Sequence, residues 1–219
     1  MVISIGNRAA APLEIAALLT LVALAPTVLV MLTSFTRVVV VLSIFRQALG
    51  LQQTPPNIVI TGMALCLTAT VMSPTFTKIN SQALSPYLAG KIKPGEAIKL
   101  AEAPMREFML RQTRPEDIEL ARGMLEAAGN KKSNVKPEDM PFFFLVPAFV
   151  SSELTTAFKI GFLVYLPFLA IDLLVSSVLM SLGMFMLPPA TVAIPIKLLV
   201  FILGNGWPLL FGNLIYGFK

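Results

Sequence analysis

Apolar residues in this chain fall in long runs rather than in short alternating stretches. The first run covers residues 15–32 and resumes, after the polar TSFTR of residues 33–37, as VVVVLSIF up to Phe45. A second covers residues 58–72, and from Phe142 onward the chain is apolar almost throughout. Roughly 20 apolar residues span the hydrocarbon of a bilayer as a helix, whereas membrane strands alternate over about 10. Lipid offers backbone groups no partners, so the pattern predicts an all-α, membrane-type fold.

Prolines and glycines divide these runs. Pro26 predicts a kink in the first, since a helix-interior proline removes one hydrogen bond and crowds the preceding turn. GLQQTPPN, residues 50–57, reads as a turn with Asn57 as the N-cap of the next helix. Ser73-Pro74 marks the end of that helix and closes a first hairpin. Pro147 and Pro167 bracket a piece expected to be kinked or broken. Pro188-Pro189 form a second hairpin turn, and Gly204, Gly206 and Pro208 around Trp207 mark a kink or end in the last hydrophobic segment. The domain organisation expected is an N-terminal helical hairpin (1–76), a charged soluble helical segment (77–140) and a C-terminal helical hairpin (141–219).

The middle segment differs in composition. Residues 78–139 hold 11 of the 17 Lys/Arg and 9 of the 12 Asp/Glu, so this part must be solvated. Glu107 and Arg111 are spaced i,i+4, which supports an exposed helix. Thr113 and Glu116 have the form of a capping box, after which Ile118, Ala121, Leu125 and Ala128 trace one apolar face until Gly129 can end the helix. GNKKSNVKPED then reads as a loop. Phe108, apolar beside charges, either packs within the segment or is a candidate subunit contact.

With 56% hydrophobic and 13% charged residues and a mean hydropathy of +0.79, the chain departs from the about 25% charged residues of soluble domains. Its formal charge of +5 comes without an extended Lys/Arg run, which argues against nucleic acid as a partner. Cys66 is the only cysteine, which rules out an intramolecular disulfide or a cysteine-cluster metal site; it is expected to be a small buried hydrophobe. Histidine is absent, and with it Ser-His and Cys-His catalysis and the commonest zinc ligand. No GxxxxGK phosphate-binding motif occurs. The composition therefore points to no catalytic residue, no metal and no cofactor. MVISIGNRAAAPLE has Pro12 and Glu14 before the apolar run and reads as no clear cleavable signal peptide.

Five charges stand inside apolar runs: Arg37, Glu153, Lys159, Asp172 and Lys197. Each costs several kcal/mol there unless it is paired or faces a cavity. Asp172 admits a proton-relay or catalytic role, ion ligation, or a buried pair with Lys159 or Lys197. An aspartyl protease needs a second intramembrane carboxylate placed to share a proton, and no second Asp lies in an apolar run. Salt bridges within or between subunits are the simplest reading of the set. Loop charges give no decisive orientation by the positive-inside rule. Met184, Phe185 and Met186 sit between Gly183 and Pro188-Pro189, hence on a turn. There they are either core filler or flexible side chains that close around objects of different shape.

MLTSFTRVVVVLSIFRQALGLQQTPPN, PMREFMLRQTR, VPAFVSSELTTAFKIGF, LPFLAIDLL and LGMFMLPPATVAIPIKLL, in this order, closely resemble the FliP/SctR family, the export-gate protein of bacterial flagella and type III secretion injectisomes. PPATVAIPIK and REFMLRQTR are nearer to the flagellar branch. The resemblance implies several copies in a helical ring, with FliQ-type and FliR-type membrane partners and other export apparatus components, at the centre of the basal body in the bacterial inner membrane. It implies that the central segment is periplasmic and that unfolded secreted proteins are the substrates. It also implies that a methionine loop, here Met184, Phe185 and Met186, forms a gasket closing the channel. Family members commonly carry three consecutive methionines there, so Phe185 is a departure, and they often carry a cleavable signal sequence. The alternatives are a small-molecule or ion transporter using Asp172 and Lys197 at a broken-helix site, or an injectisome homologue.

Overall fold

The computed structural model describes residues 15–16, 19–20, 23–24, 26–129 and 135–218. The signal-peptide reading and the middle of the GNKKSNVKPED loop lie outside these residues. Among the described residues every regular element is helical.

The opening apolar stretch is divided at its TSFT sequence, where α1 (Pro26–Leu32) meets α2 (Phe35–Ala48) at 84°. Such a break frees main-chain carbonyls, and in apolar surroundings these need donors. Thr33 Oγ1 donates to the Leu29 carbonyl at 2.5 Å and Thr36 Oγ1 to the Val30 carbonyl at 2.6 Å. The kink expected at Pro26 falls beside Ala25, which is not among the described residues; the 84° turn lies at Thr33 and Ser34.

After α2 the chain reverses at Gly50, whose φ of +76° suits a residue without Cβ; a Cβ there would also sit 2.9 Å from Ile194 Cγ1. Arg46 ties this loop down, donating to the Pro55 carbonyl and to Asn57 Oδ1. Asn57 is therefore not the N-cap the sequence suggested: Pro56 holds that position, Asn57 is the first residue of α3 (Asn57–Ile79), and its side chain is engaged by Arg46. Nor does Pro74 end the helix. α3 passes through it and continues as a π-turn at Asn80–Leu84 and a last helical turn, α4 (Ser85–Leu88). A proline removes a single intrahelical bond, and the rest of an apolar helix has no better partner for its backbone. α3 buries the side carrying Ile60, Ala64, Leu67 and Met72; Cys66, expected inside, is on the exposed side.

α5 (Pro94–Gln112) returns along α3 and carries Phe108 and Met109 inward. Thr113 does not open a capping box. It closes α5, donating to the Met109 carbonyl, while Pro115 opens α6 (Pro115–Ala127) from an N1 position that needs no N–H donor. Ala121 and Leu125 face inward as the periodicity predicts, and Gly129 follows the helix at φ +85°. A short 3-10 turn at Pro137–Asp139 leads into α7 (Phe142–Ser181). α7 has 40 residues and is about 60 Å long at 1.5 Å per residue. Of the kink or break expected at Pro147 and Pro167, no break occurs: the helix is continuous through both. α8 (Pro189–Leu203) packs back along α7, and Asn205, in the left-handed region at φ 49°, turns the chain by 67° into α9 (Gly206–Tyr216).

α7 joins two apolar cores. One gathers Val38, Val41, Leu42 and Phe45 of α2 with Ala64 of α3, Ala157 and Phe168 of α7, and residues of α8 and α9. The other gathers Met72, Phe108, Met109, Ala121, Met140 and Phe149. α7 also carries exposed apolar side chains, among them Leu163, Leu173, Leu174, Val178 and Met180. α3 with α4, and α7, are each long and apolar enough to cross a membrane; the bent pairs α1–α2 and α8–α9 raise the number of candidate spans to four.

Candidate functional site

Four of the five charges in apolar runs pair with one another, Arg37 with Glu153 and Lys197 with Asp172. Arg37, 3% exposed, lies on the face of α2 that meets α7, and Glu153, fully buried, lies opposite it. Arg37 Nε donates to Glu153 Oε2 at 2.8 Å and Nη2 donates to Oε1, a two-pronged contact that a lysine could not make. The remaining guanidinium hydrogens reach the Gly217 carbonyl at 3.1 Å and Gln112 Oε1 at 3.2 Å, and the Phe218 ring lies 3.9 Å from Cζ. One cation thereby joins α2, the end of α5, α7 and the C-terminal residues.

The two serines preceding Glu153 extend this junction to the charged segment. Ser152 Oγ accepts from the Arg114 backbone N–H at 3.0 Å and donates to the Gln112 carbonyl at 3.2 Å. Ser151 Oγ donates to Asp117 Oδ1, and Asp117 Oδ2 accepts both Arg114 Nε and Nη2. Sequence reasoning passed over Ser151, Ser152, Arg114 and Asp117. The available signal was the polar triplet Ser-Ser-Glu inside an apolar helix and the i,i+3 pair Arg114/Asp117 at a helix start.

The second pair joins α7, α8 and the end of α2. Lys197 of α8, 3% exposed, donates from Nζ to Asp172 Oδ2 at 2.6 Å and to the Ala48 carbonyl at 2.9 Å. Asp172 thus takes Lys197 as its base, and the carbonyl at the end of α2, freed as its helix stops, is satisfied by the same ammonium. Lys159 is different: it is exposed, as are its helix neighbours Phe158 and Phe162, and it makes no ion pair among the described residues. Phe108 is buried 5.9 Å from the Phe149 ring in edge-to-face contact, so its ring is taken up within the chain.

Met184, Phe185 and Met186 occupy the link between α7 and α8. Gly183 at φ +74° turns the chain away from α7, and all three side chains are exposed, Met186 to 97%. Large apolar side chains on a turn at the end of a long apolar helix have nothing to gain from water.

These residues lie within a span, residues 18–214, that matches the FliP family. The chain belongs to the FliP family. Its FliP relatives are similar over nearly the whole length. The flagellar biosynthetic protein FliP of Bacillus subtilis (strain 168) is 47% identical over 201 residues, 92% of this chain and 89% of the relative. That of Aquifex aeolicus (strain VF5) is 46% identical over 202 residues, covering 92% and 83%. That of Pectobacterium carotovorum subsp. carotovorum is 48% identical over 201 residues, covering 92% and 76%. Both ion pairs, the Ser-Ser-Glu junction and the 184–186 loop fall inside the FliP match.

Proposed function

We propose that this FliP-family chain is a core, non-enzymatic subunit of the flagellar protein export gate in the bacterial inner membrane. In this reading several copies assemble in a helical ring with FliQ-type and FliR-type membrane proteins and other export apparatus components, and unfolded flagellar proteins pass along the axis. The charged segment, residues 77–140, faces the periplasm. The observation that carries the reading is the exposed Met184-Phe185-Met186 turn. Copies of it around an axis make a ring of apolar, deformable side chains that seals against itself and yields to a passing chain. Phe185, with two side-chain torsions where a methionine has three, makes such a ring stiffer.

The ion pairs then hold the framework behind the loop. Arg37–Glu153 locks α7 to α2, and Lys197–Asp172 locks α8 to α7. A transporter reading needs Asp172 for a substrate or a proton, whereas here its Oδ2 and Lys197 neutralise each other. Replacing Met184, Phe185 and Met186 by glycine in cells carrying the complete apparatus should make the membrane leaky to small ions while flagellar proteins are still exported. An unchanged ion permeability would reject the gasket role. Asp172→Asn should reduce assembly, seen by native mass spectrometry of the detergent-extracted complex; intact assembly with lost small-molecule flux would favour the transporter.

A further inference from the structure

The charged segment carries two apolar faces that its own packing leaves uncovered. The first is at the tip formed by α3, α4 and the start of α5. The π-turn at Asn80–Leu84 shifts the register of the side chains that follow, leaving Leu84, Tyr87 and Leu88 exposed, Leu88 to 75%. Ile98 of α5, 70% exposed, lies across from them, and between them runs a shallow groove of about 370 Å³ floored by Ala83 and Ala97. Two exposed lysines, Lys91 and Lys93, stand in the link from α4 to α5 next to Pro94, which lines the groove, and neither makes an ion pair among the described residues.

The second face is the outer side of α6. Its inner side, Ala121 and Leu125, packs on α7 and the second core, yet Leu120, Met124 and Ala127 also form an apolar strip facing outward. Glu116 and Glu126, at the two ends of the strip, are exposed without an ion pair among the described residues, while Glu119 is paired with Arg122. Gly123 lies in the middle of the strip with nothing within 4 Å of the position its Cβ would take. A mid-helix glycine is less favourable than alanine by about 1 kcal/mol, and nothing inside the chain requires it. An approaching backbone would.

We infer that these faces are the two halves of one head-to-tail contact: the outer face of α6 in one copy lies in the α4–α5 groove of the next. Leu120 and Met124 meet Ile98, Leu84 and Leu88, and the two unpaired glutamates meet Lys91 and Lys93. The match is of both kinds, apolar to apolar and negative to positive, and the free chain satisfies neither. Because the two faces differ, the contact is heterologous, which propagates copies around an axis or along a helix rather than closing a two-fold dimer. The inference rests on the proposed multi-copy gate and names the surface that joins its copies on the solvent side.

The test uses full-length chains in membranes, with Cys66→Ser removing the exposed native thiol. Ile98→Cys is placed in one tagged chain and Leu120→Cys in another, and both are co-expressed with the partner membrane proteins. Oxidation should give a mixed dimer dependent on both substitutions, and a chain carrying both should give a ladder. Lys91→Glu with Lys93→Glu should lower the yield several-fold, and adding Glu116→Lys with Glu126→Lys should restore it. A multi-copy assembly by native mass spectrometry with no mixed dimer overturns this contact and leaves the gate reading standing. A chain that stays monomeric with its partners present overturns both. Burial of the Ile98→Cys thiol by anionic vesicles, without cross-linking, would assign the tip to a lipid surface and overturn the contact.

Discussion

Removing the Glu153 carboxylate should be among the most damaging single changes to this fold. Its side chain is fully buried and its partner Arg37 is 3% exposed, so neither charge can fall back on water. At an effective dielectric constant of about 20, charges roughly 4 Å apart attract by about 4 kcal/mol, and desolvation of the survivor adds to the loss. Glu153→Ala should therefore destabilise by about 3–5 kcal/mol, the range for breaking one side of a buried pair. The Gly217 carbonyl, Gln112 Oε1 and the Phe218 ring remain near the guanidinium and keep the effect from growing further. Glu153→Gln keeps an acceptor and loses the charge, and should cost about 1.5–3 kcal/mol, the worth of hydrogen bonds to a charged group. Arg37→Met with Glu153→Leu removes both charges and should recover most of the loss, since apolar replacement of a buried pair is often neutral or stabilising. The measurement is unfolding in mixed detergent micelles followed by Trp207, the only tryptophan, whose ring lies against Phe45 and Phe201. Loss of less than about 1 kcal/mol in Glu153→Ala, or a double variant weaker than either single one, would refute the argument.

Three other outcomes follow from local geometry. Gly161→Ala would put a Cβ 2.4 Å from Ile44 Cδ1 where α7 crosses α2; it should cost about 1–3 kcal/mol, and Ile44→Val, which lacks that carbon, should return part of it in the same unfolding assay. Ser152→Ala strands the Arg114 N–H and should cost about 1–3 kcal/mol, with hydrogen exchange at Arg114 rising first. The Lys78 ammonium, bonded to Glu107 at 2.7 Å, holds the Glu107 carboxyl below its ordinary value. That contribution is present above the unfolded carboxylate pKa and is lost as pH falls through the lower folded one. Both groups are about half exposed, so the effect should stay below about 1 kcal/mol and disappear in Glu107→Gln and in high salt, as acid titration of unfolding would show.

Run lengths and composition were enough to read the helical, membrane-type character of the chain, because the bilayer and the helix each impose a length that a sequence displays directly. The apolar face of α6, the breaks at Gly50 and around Trp207, and the turn carrying Met184, Phe185 and Met186 were legible for the same reason: periodicity, left-handed glycines and prolines act within a few residues. Pro74 does not end its helix and Pro147 and Pro167 do not break theirs: a proline removes one intrahelical bond, and the turns on either side carry the helix through it, at Pro104 of the charged segment as in the apolar helices. Caps were misplaced at Asn57 and Thr113 because Arg46 and the end of α5 compete for those side chains. Only the tertiary structure decided which charges meet. Arg37 and Glu153 are 116 residues apart, and Lys197 reaches both Asp172 and a carbonyl 149 residues away. A sequence states that a buried charge needs a partner; the path of the backbone alone determines which partner comes within 3 Å, and that Lys159 is left facing outward.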